Sequence, residues 1–492
     1  MSLSPELIKW RNHIREIALG YGLDFFEVIF EVLDWKQMNV VASYGGFPNR
    51  YPHWRFGMEY EQISKSYAYG LTKIYEMVIN NDPSYAYLLH SNALMDQKLV
   101  MAHVYGHSDF FKNNFYFSHT NRKMIDVMGN HRSKVQRYID EYGLDKVEAF
   151  IDQCLSLENL IDYHSPAIKR QRFHEDEVLG EEKDTKVSVK KMKSKEYMDT
   201  FVNPSDFLAA QQKMIEEAKK KEKSFPEHHE RDVLLFLINY APLERWQRDV
   251  LTMIRDEAYY FAPQRQTKIM NEGWAAYWHT TMMTQKILDD TEVIDYADHH
   301  SGTVAPHPGR VNPYKLGMEL FRDIEDRWNK GKFGKEFEDC TDFKEKRVWD
   351  KKLGQGRDKI FEVRKLYNDL TFLDAFLNDE FCVQQKMFTY AYNPNNNTYE
   401  IVDRDWRKVK AKLLQSLTNC GSPIIEIVDG NYNNRGEMLL KHHFDGATLK
   451  MDWAWETLKN LQSLWDRPVY LETMVEGIPK VLSFDGKETH EK

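Results

Sequence analysis

Cysteine is scarce in this chain: Cys154, Cys340, Cys382 and Cys420 are the four among 492 residues, far apart and with no CxxC pairing. That excludes a disulfide framework and a thiolate zinc knuckle, and predicts reduced, mostly buried thiols. No stretch approaches the apolar length of a membrane span, and Met1 to Trp10 lacks the basic start and apolar run of a signal peptide. A cytosolic (cytoplasmic) protein is expected. A basic excess is missing too, since 67 Lys and Arg stand against 76 Asp and Glu for a net charge of −9. Nucleic acid is therefore not an expected partner. Walker A, GxGxxG and GxSxG motifs are absent, so kinase and nucleotide-binding dehydrogenase readings fall away.

What the chain does contain is apolar and aromatic, at 42% hydrophobic and 13% aromatic residues. It can bury at least one large core, and its length suggests several domains. Ser4 and Pro5 start an apolar helical pattern over 4–23, and 25–33 reads as a strand. The Gly- and Pro-punctuated 43–54 reads as an ordered aromatic loop, and helical periodicity runs from about 59 to 165. The segment 232–288 forms two helical blocks, with Pro263 ending or kinking the first. A His-, Gly- and Pro-rich loop is expected over 298–313, then a helix over 314–330. Strands are expected at 382–392, 399–402, 424–428, 437–444 and 469–472, with helices at 406–418 and 451–465. The expected fold class is α+β, a large mainly helical N-terminal body with a smaller C-terminal mixed α/β domain. Its parts are 1–170, a charged insertion or linker over 171–231, a second helical part over 232–375, and the α/β domain over 376–492.

Two motifs carry the candidate chemistry. In Asn271-Glu272-Gly273-Trp274-Ala275-Ala276-Tyr277-Trp278-His279, Glu272 and His279 are two helical turns apart and share a face. His103 and His107, four apart behind the apolar Leu99-Val100-Met101-Ala102, have the spacing that lets two imidazoles reach one ion. Among 18 histidines, chance supplies about 0.7 such pairs, so the pair alone also fits a hydrogen-bonded structural role. Glu272, among Trp and Ala, needs a cation, a donor or a proton.

The metal reading makes His103, His107 and Glu272 the ligands of a divalent metal, zinc first and iron as the alternative. His279 is then a fourth ligand or acid/base, and Asp109 fixes a ligand's ring nitrogen. Two histidines and a glutamate resemble the sites of zinc peptidases, in which HExxH on one helix is completed by a later Glu. Here Val104 stands where that class has its general base. Asp109, Glu257, Glu31 and His279 are the available bases, and with Glu257 or Glu31 as added ligands a non-haem iron or di-metal site is equally consistent. His53, Arg55, Asn271, Tyr277, His299 and His300 are further pocket candidates. The adjacent pairs His228/His229 and His442/His443 receive no role.

These residues sit in long ordered segments that resemble the stage V sporulation protein R (SpoVR) family. The segments are Tyr44–Gly57 with an extra glycine, Ala102–Val104 through Asp109–Asn114, Phe261–His279, and Asn312-Pro313-Tyr314-Lys315-Leu316-Gly317. The resemblance covers roughly 10–480. It implies a part in spore cortex formation or a related bacterial stress pathway. It also implies possible partners, an AAA ATPase/serine kinase-like protein and a von Willebrand factor A-like protein. Two functions follow as expectations: a metal-dependent hydrolase acting on amide or peptide-like bonds, or a non-catalytic scaffold docking those partners.

Overall fold

Ser4 accepts a hydrogen bond from the Leu7 N–H and Pro5 opens the first turn, so helix α1 (Pro5–Gly20) starts at its capping signal. The computed structural model describes residues 3–68, 76–168, 204, 213, 225–305 and 311–492. After α1 come β1 (Val28–Leu33), α2 (Trp35–Ser43), α3 (Trp54–Ala68), β2 (Glu76–Ile79), β3 (Ser84–Leu89), α4 (Leu94–Asn113), α5 (Met124–Tyr142) and α6 (Leu144–Ser156). The chain continues with α7 (Val233–Tyr240), α8 (Arg245–Gln266), α9 (Lys268–Met282), α10 (Val293–Thr303), α11 (Pro313–Lys330), α12 (Gly356–Leu366), α13 (Asp369–Phe376) and α14 (Asp379–Gln384). Hairpin β4 (Thr389–Asn393) and β5 (Thr398–Asp403) precedes α15 (Trp406–Leu417). Last come β6 (Ile425–Tyr432), β7 (Glu437–His442), α16 (Met451–Trp465), β8 (Val469–Val475), β9 (Ile478–Phe484) and β10 (Thr489–Glu491). The fold is α+β.

Contacts divide the chain into two compact units, 1–151 with 256–422 and 152–255 with 423–492. In the larger unit β1 pairs parallel to β3, and β2 antiparallel to β3. Its centre is α4, where every residue from Gln97 to Phe111 is buried, the signature of a helix enclosed on all sides. α1 and α9 pack on α4, and α11 packs on α9. In the smaller unit the strand order is β10-β9-β8-β7-β6; α16 connects the one parallel pair, β7 and β8.

The N-terminus of α9 has no side-chain cap of its own. Asp369, the first residue of α13, supplies one from a distance, its carboxylate accepting the Ile269 N–H at 2.8 Å and the Met270 N–H at 2.9 Å. Burial is the larger influence and pushes this carboxyl up to about 7 despite those donors. A carboxyl raised above its unfolded value near 4 keeps a proton that the unfolded chain has lost. Its contribution to stability is therefore full below about pH 4 and falls as the pH rises toward 7. Asp369→Ala is expected to orphan two helix N–H groups at a cost of about 2–4 kcal/mol, and to remove part of the loss in stability between pH 5 and pH 7. Urea titrations at both pH values check this; an unchanged midpoint in the variant would contradict it.

Several expected elements are corrected. The helical reading of 59–165 hides β2 and β3, because a fully buried strand such as Ala86-Tyr87-Leu88-Leu89 shows no alternation. That helical stretch also begins earlier, at Trp54. The expected strand at 382–392 begins only at Thr389, since Asn378 caps α14 through the Phe381 N–H. The expected loop at 298–313 is helical to Thr303, and its residues 306–310 lie outside the described residues. Pro263 does not end α8, which closes at Gln266. The charged segment 171–231 lies, up to residue 224 and apart from 204 and 213, outside the described residues.

Candidate metal centre

α4 and α9 meet where neither carries bulk: a methyl group on Gly106 would lie 2.7 Å from Ala275 Cα. That approach sets His103 and His107 on α4 against Asn271, Glu272 and His279 on α9, each set a stripe of one helix face. Glu272 Oε2 lies 3.4 Å from His107 Nε2 and 3.7 Å from His103 Nε2. The three ligand atoms are all within 4.8 Å of one another. Oε2 itself is buried and has no hydrogen-bond partner, although the Glu272 side chain as a whole is 20% exposed. Burial alone would raise the Glu272 carboxyl; the facing imidazoles of His103 and His107 outweigh it and hold the group below the usual carboxylate range.

The far nitrogens of both rings are also held. His107 Nδ1 is 2.9 Å from Asn271 Oδ1, an acceptor, so the ring proton sits on Nδ1 and the Nε2 lone pair faces Glu272. His103 Nδ1 is 2.7 Å from His279 Nδ1. One of those nitrogens donates, and a lone pair on His103 Nε2 requires the donor to be His103, which leaves the proton of a neutral His279 on its Nε2. Burial, and then the neighbouring imidazoles, push His279 well below the ordinary histidine range, in keeping with the neutral form. Two lone pairs and a carboxylate then converge on one point, which calls for positive charge. Donors on a tetrahedral ion with bonds of about 2.0–2.1 Å lie about 3.4 Å apart, close to the separations found here. The donor set fits a divalent metal.

His279 therefore stands behind His103, as the group that orients it, and is not gathered around Glu272 Oε2. Asp109 was expected to orient a ligand, and here the structure corrects the sequence. Two residues past His107 it points about 200° around the helix, where it accepts from Trp274 Nε1–H and the Asp24 N–H, both at 2.8 Å, and faces Arg364 at 3.3 Å. Burial pushes its carboxyl up to about 6 against the pull of Arg364. The orienting work belongs to Asn271 and His279.

The remaining candidates are distributed. Glu257 is taken up in a buried triad with Arg50 at 2.6 Å and His131 at 2.9 Å, an arrangement for packing the Tyr44–Gly57 loop rather than for serving as base. Glu31 sits on β1 opposite Tyr87. His53 Nδ1 accepts the Arg55 N–H at 3.2 Å, and Arg55 pairs with Glu59. Tyr277 donates to Glu325. His299 and His300 are on α10; His299 pairs with Asp96 at 3.1 Å, and the His300 ring lies 5.9 Å from that of His279. Sequence reasoning missed the walls of the centre, Tyr314 stacked 6.1 Å from the His103 ring and Phe111 stacked 6.0 Å from that of His107. The signal for Tyr314 was its place in the Asn312–Gly317 motif.

Comparison with known proteins gives one consistent result. The family described as SpoVR like protein matches residues 3–422, and the SpoVR-like C-terminal domain matches 423–476. The chain is 30% identical over 498 residues to the uncharacterized protein YcgB of Escherichia coli (strain K12), covering 94% of this chain and 91% of that one. No solved structure matches. Among the described residues no helix is long and apolar enough to cross a membrane.

Proposed function

This chain belongs to the SpoVR family, and on that premise we propose that it is a cytosolic metal-dependent hydrolase of amide or peptide-like bonds, serving spore cortex formation or a related bacterial stress pathway. The observation that carries the reading is the convergence of His103 Nε2, His107 Nε2 and Glu272 Oε2. A divalent cation held by these three, zinc first and iron as the alternative, would lower the pKa of a bound water and polarise a carbonyl. Asn271 and His279 fix the two rings so that their lone pairs stay aimed at the site. The partial exposure of Glu272 leaves one side open to a small substrate, with Tyr314 and Phe111 as apolar walls. Val104 is fully buried, so proton transfer has to come from a group other than the residue that follows the first histidine.

The test is zinc-loaded protein assayed against a panel of peptide and amide substrates, with and without chelator, beside Glu272→Gln. Turnover that disappears with chelator and in the variant is expected. Metal-loaded protein that turns over none of them, or turnover indifferent to Glu272→Gln, rejects the hydrolase reading.

A docking role is favoured by a different observation. In the β4–β5 hairpin, Tyr390 lies opposite Ile401 and Tyr392 opposite Tyr399, so all four share one face, and all four are exposed. An isolated two-stranded sheet is marginal in water, which suits a surface that a partner covers. The AAA ATPase/serine kinase-like and von Willebrand factor A-like proteins are the proposed partners, and copurification with either would carry this reading.

A further inference from the structure

The smaller unit contains a second His/Glu/His cluster, built from residues with no role in the centre described above. His229 Nδ1 is 2.9 Å and His443 Nε2 2.8 Å from the same atom, Glu426 Oε1. The three come from adjacent extended segments, which is what holds them together. Glu426 lies on β6. His443 follows β7, its N–H bonded to Ile424 O at 2.9 Å. His229 precedes Glu230, whose backbone exchanges two hydrogen bonds with Ile427, at 3.0 and 2.8 Å, on the edge of β6. Backbone pairing thus fixes the order His229, Glu426, His443 across three strands.

We propose that His229, Glu426 and His443 form a second divalent-cation site, suited to zinc by its imidazole and carboxylate donors. Nitrogen and oxygen donors at right angles on one ion with bonds of about 2.1 Å lie about 3 Å apart, and both His–Glu separations are near that value. The carboxylate is held in place at 12% exposure, whereas His229 and His443 are 50% and 45% exposed. The rings can turn toward a shared ion without opening any core. A cation there would clip the segment carrying His229 to β6 and β7, where among the described residues a single backbone bridge now joins them. The site is chemically independent of the His103/His107/Glu272 centre.

The experiment is zinc titration of the full-length protein in competition with a chromophoric chelator, for wild type, Glu272→Gln, and the double variant His229→Ala with His443→Ala. Two equivalents are expected in wild type and one in each variant, with His443→Ala alone weakening the second site at least about a hundredfold, since loss of even an orienting residue costs 10–100-fold. Unchanged stoichiometry and affinity in the double variant would overturn the proposal. An equivalent lost in the double variant but not with Glu272→Gln would support this site while rejecting the first. Thermal unfolding of the metal-free variants, expected to match metal-free wild type because the replaced rings are half-exposed, separates lost binding from lost fold.

Discussion

Glu272→Gln is expected to strip the protein of metal at the α4–α9 centre while leaving it folded. The argument is one of donor count and geometry. Among the described residues, the cluster His103, His107 and Glu272 offers three ligand atoms within 4.8 Å, and Glu272 is its only charge. A neutral amide of the same shape keeps the packing but gives up the anion that the two imidazole lone pairs need opposite them. A loss of at least about a hundredfold in affinity is expected, with His103→Ala behaving alike. Asn271→Ala and His279→Ala should be milder, about 10–100-fold, because they free a ring without removing a ligand. Elemental analysis of protein purified without chelator or affinity nickel, followed by chelator competition, measures all four. Wild-type protein that is fully folded and free of metal, or a Glu272→Gln variant that retains it, sinks the metal centre.

Alanine at Gly273 or Gly317 is expected to be the most damaging small substitution in the larger unit. A methyl group on Gly273 would lie 2.4 Å from the Gly317 Cα and carbonyl carbon, and one on Gly317 would lie 2.1 Å from the Ile269 oxygen. The obstacles are backbone atoms, which cannot rotate away, so α9 and α11 must move apart and lose packing along their whole contact. About 3 kcal/mol or more per substitution is expected, a large share of the 5–15 kcal/mol that stabilises a typical domain. Because α9 carries Asn271, Glu272 and His279, metal affinity should fall together with the denaturation midpoint. By contrast, Gly302→Ala, which meets nothing within 4 Å on α10, should leave both almost unchanged. A Gly317→Ala protein with a wild-type midpoint would show that the two helices do not need this contact.

The Asn271–His279 motif was legible in outline and not in its division of labour. Glu272 as ligand candidate followed from a carboxylate set among Trp and Ala on one helix face. That Asn271 orients His107, that Gly273 admits α11, and that Trp274 serves Asp109 required the neighbours to be present. Likewise the helix pattern of 4–23 was legible because its cap and its apolar stripe are local, whereas β3 was not, because a strand buried on both faces carries no alternation to read.

By itself the sequence determined what depends on residues close along the chain. These are the i,i+4 spacing of His103 and His107, the two-turn spacing of Glu272 and His279, the capped start of α1, and the ordered segments that mark the SpoVR family. The tertiary structure alone decided that α4 and α9 face each other, which ring nitrogen each histidine turns inward, and that Asp109 and Glu257 look away toward arginines. The physical reason is that helical periodicity is set by hydrogen bonds four residues apart. The meeting of residues more than 150 positions apart is set instead by where two helices can come close, and here glycines at 106, 273 and 317 determine that.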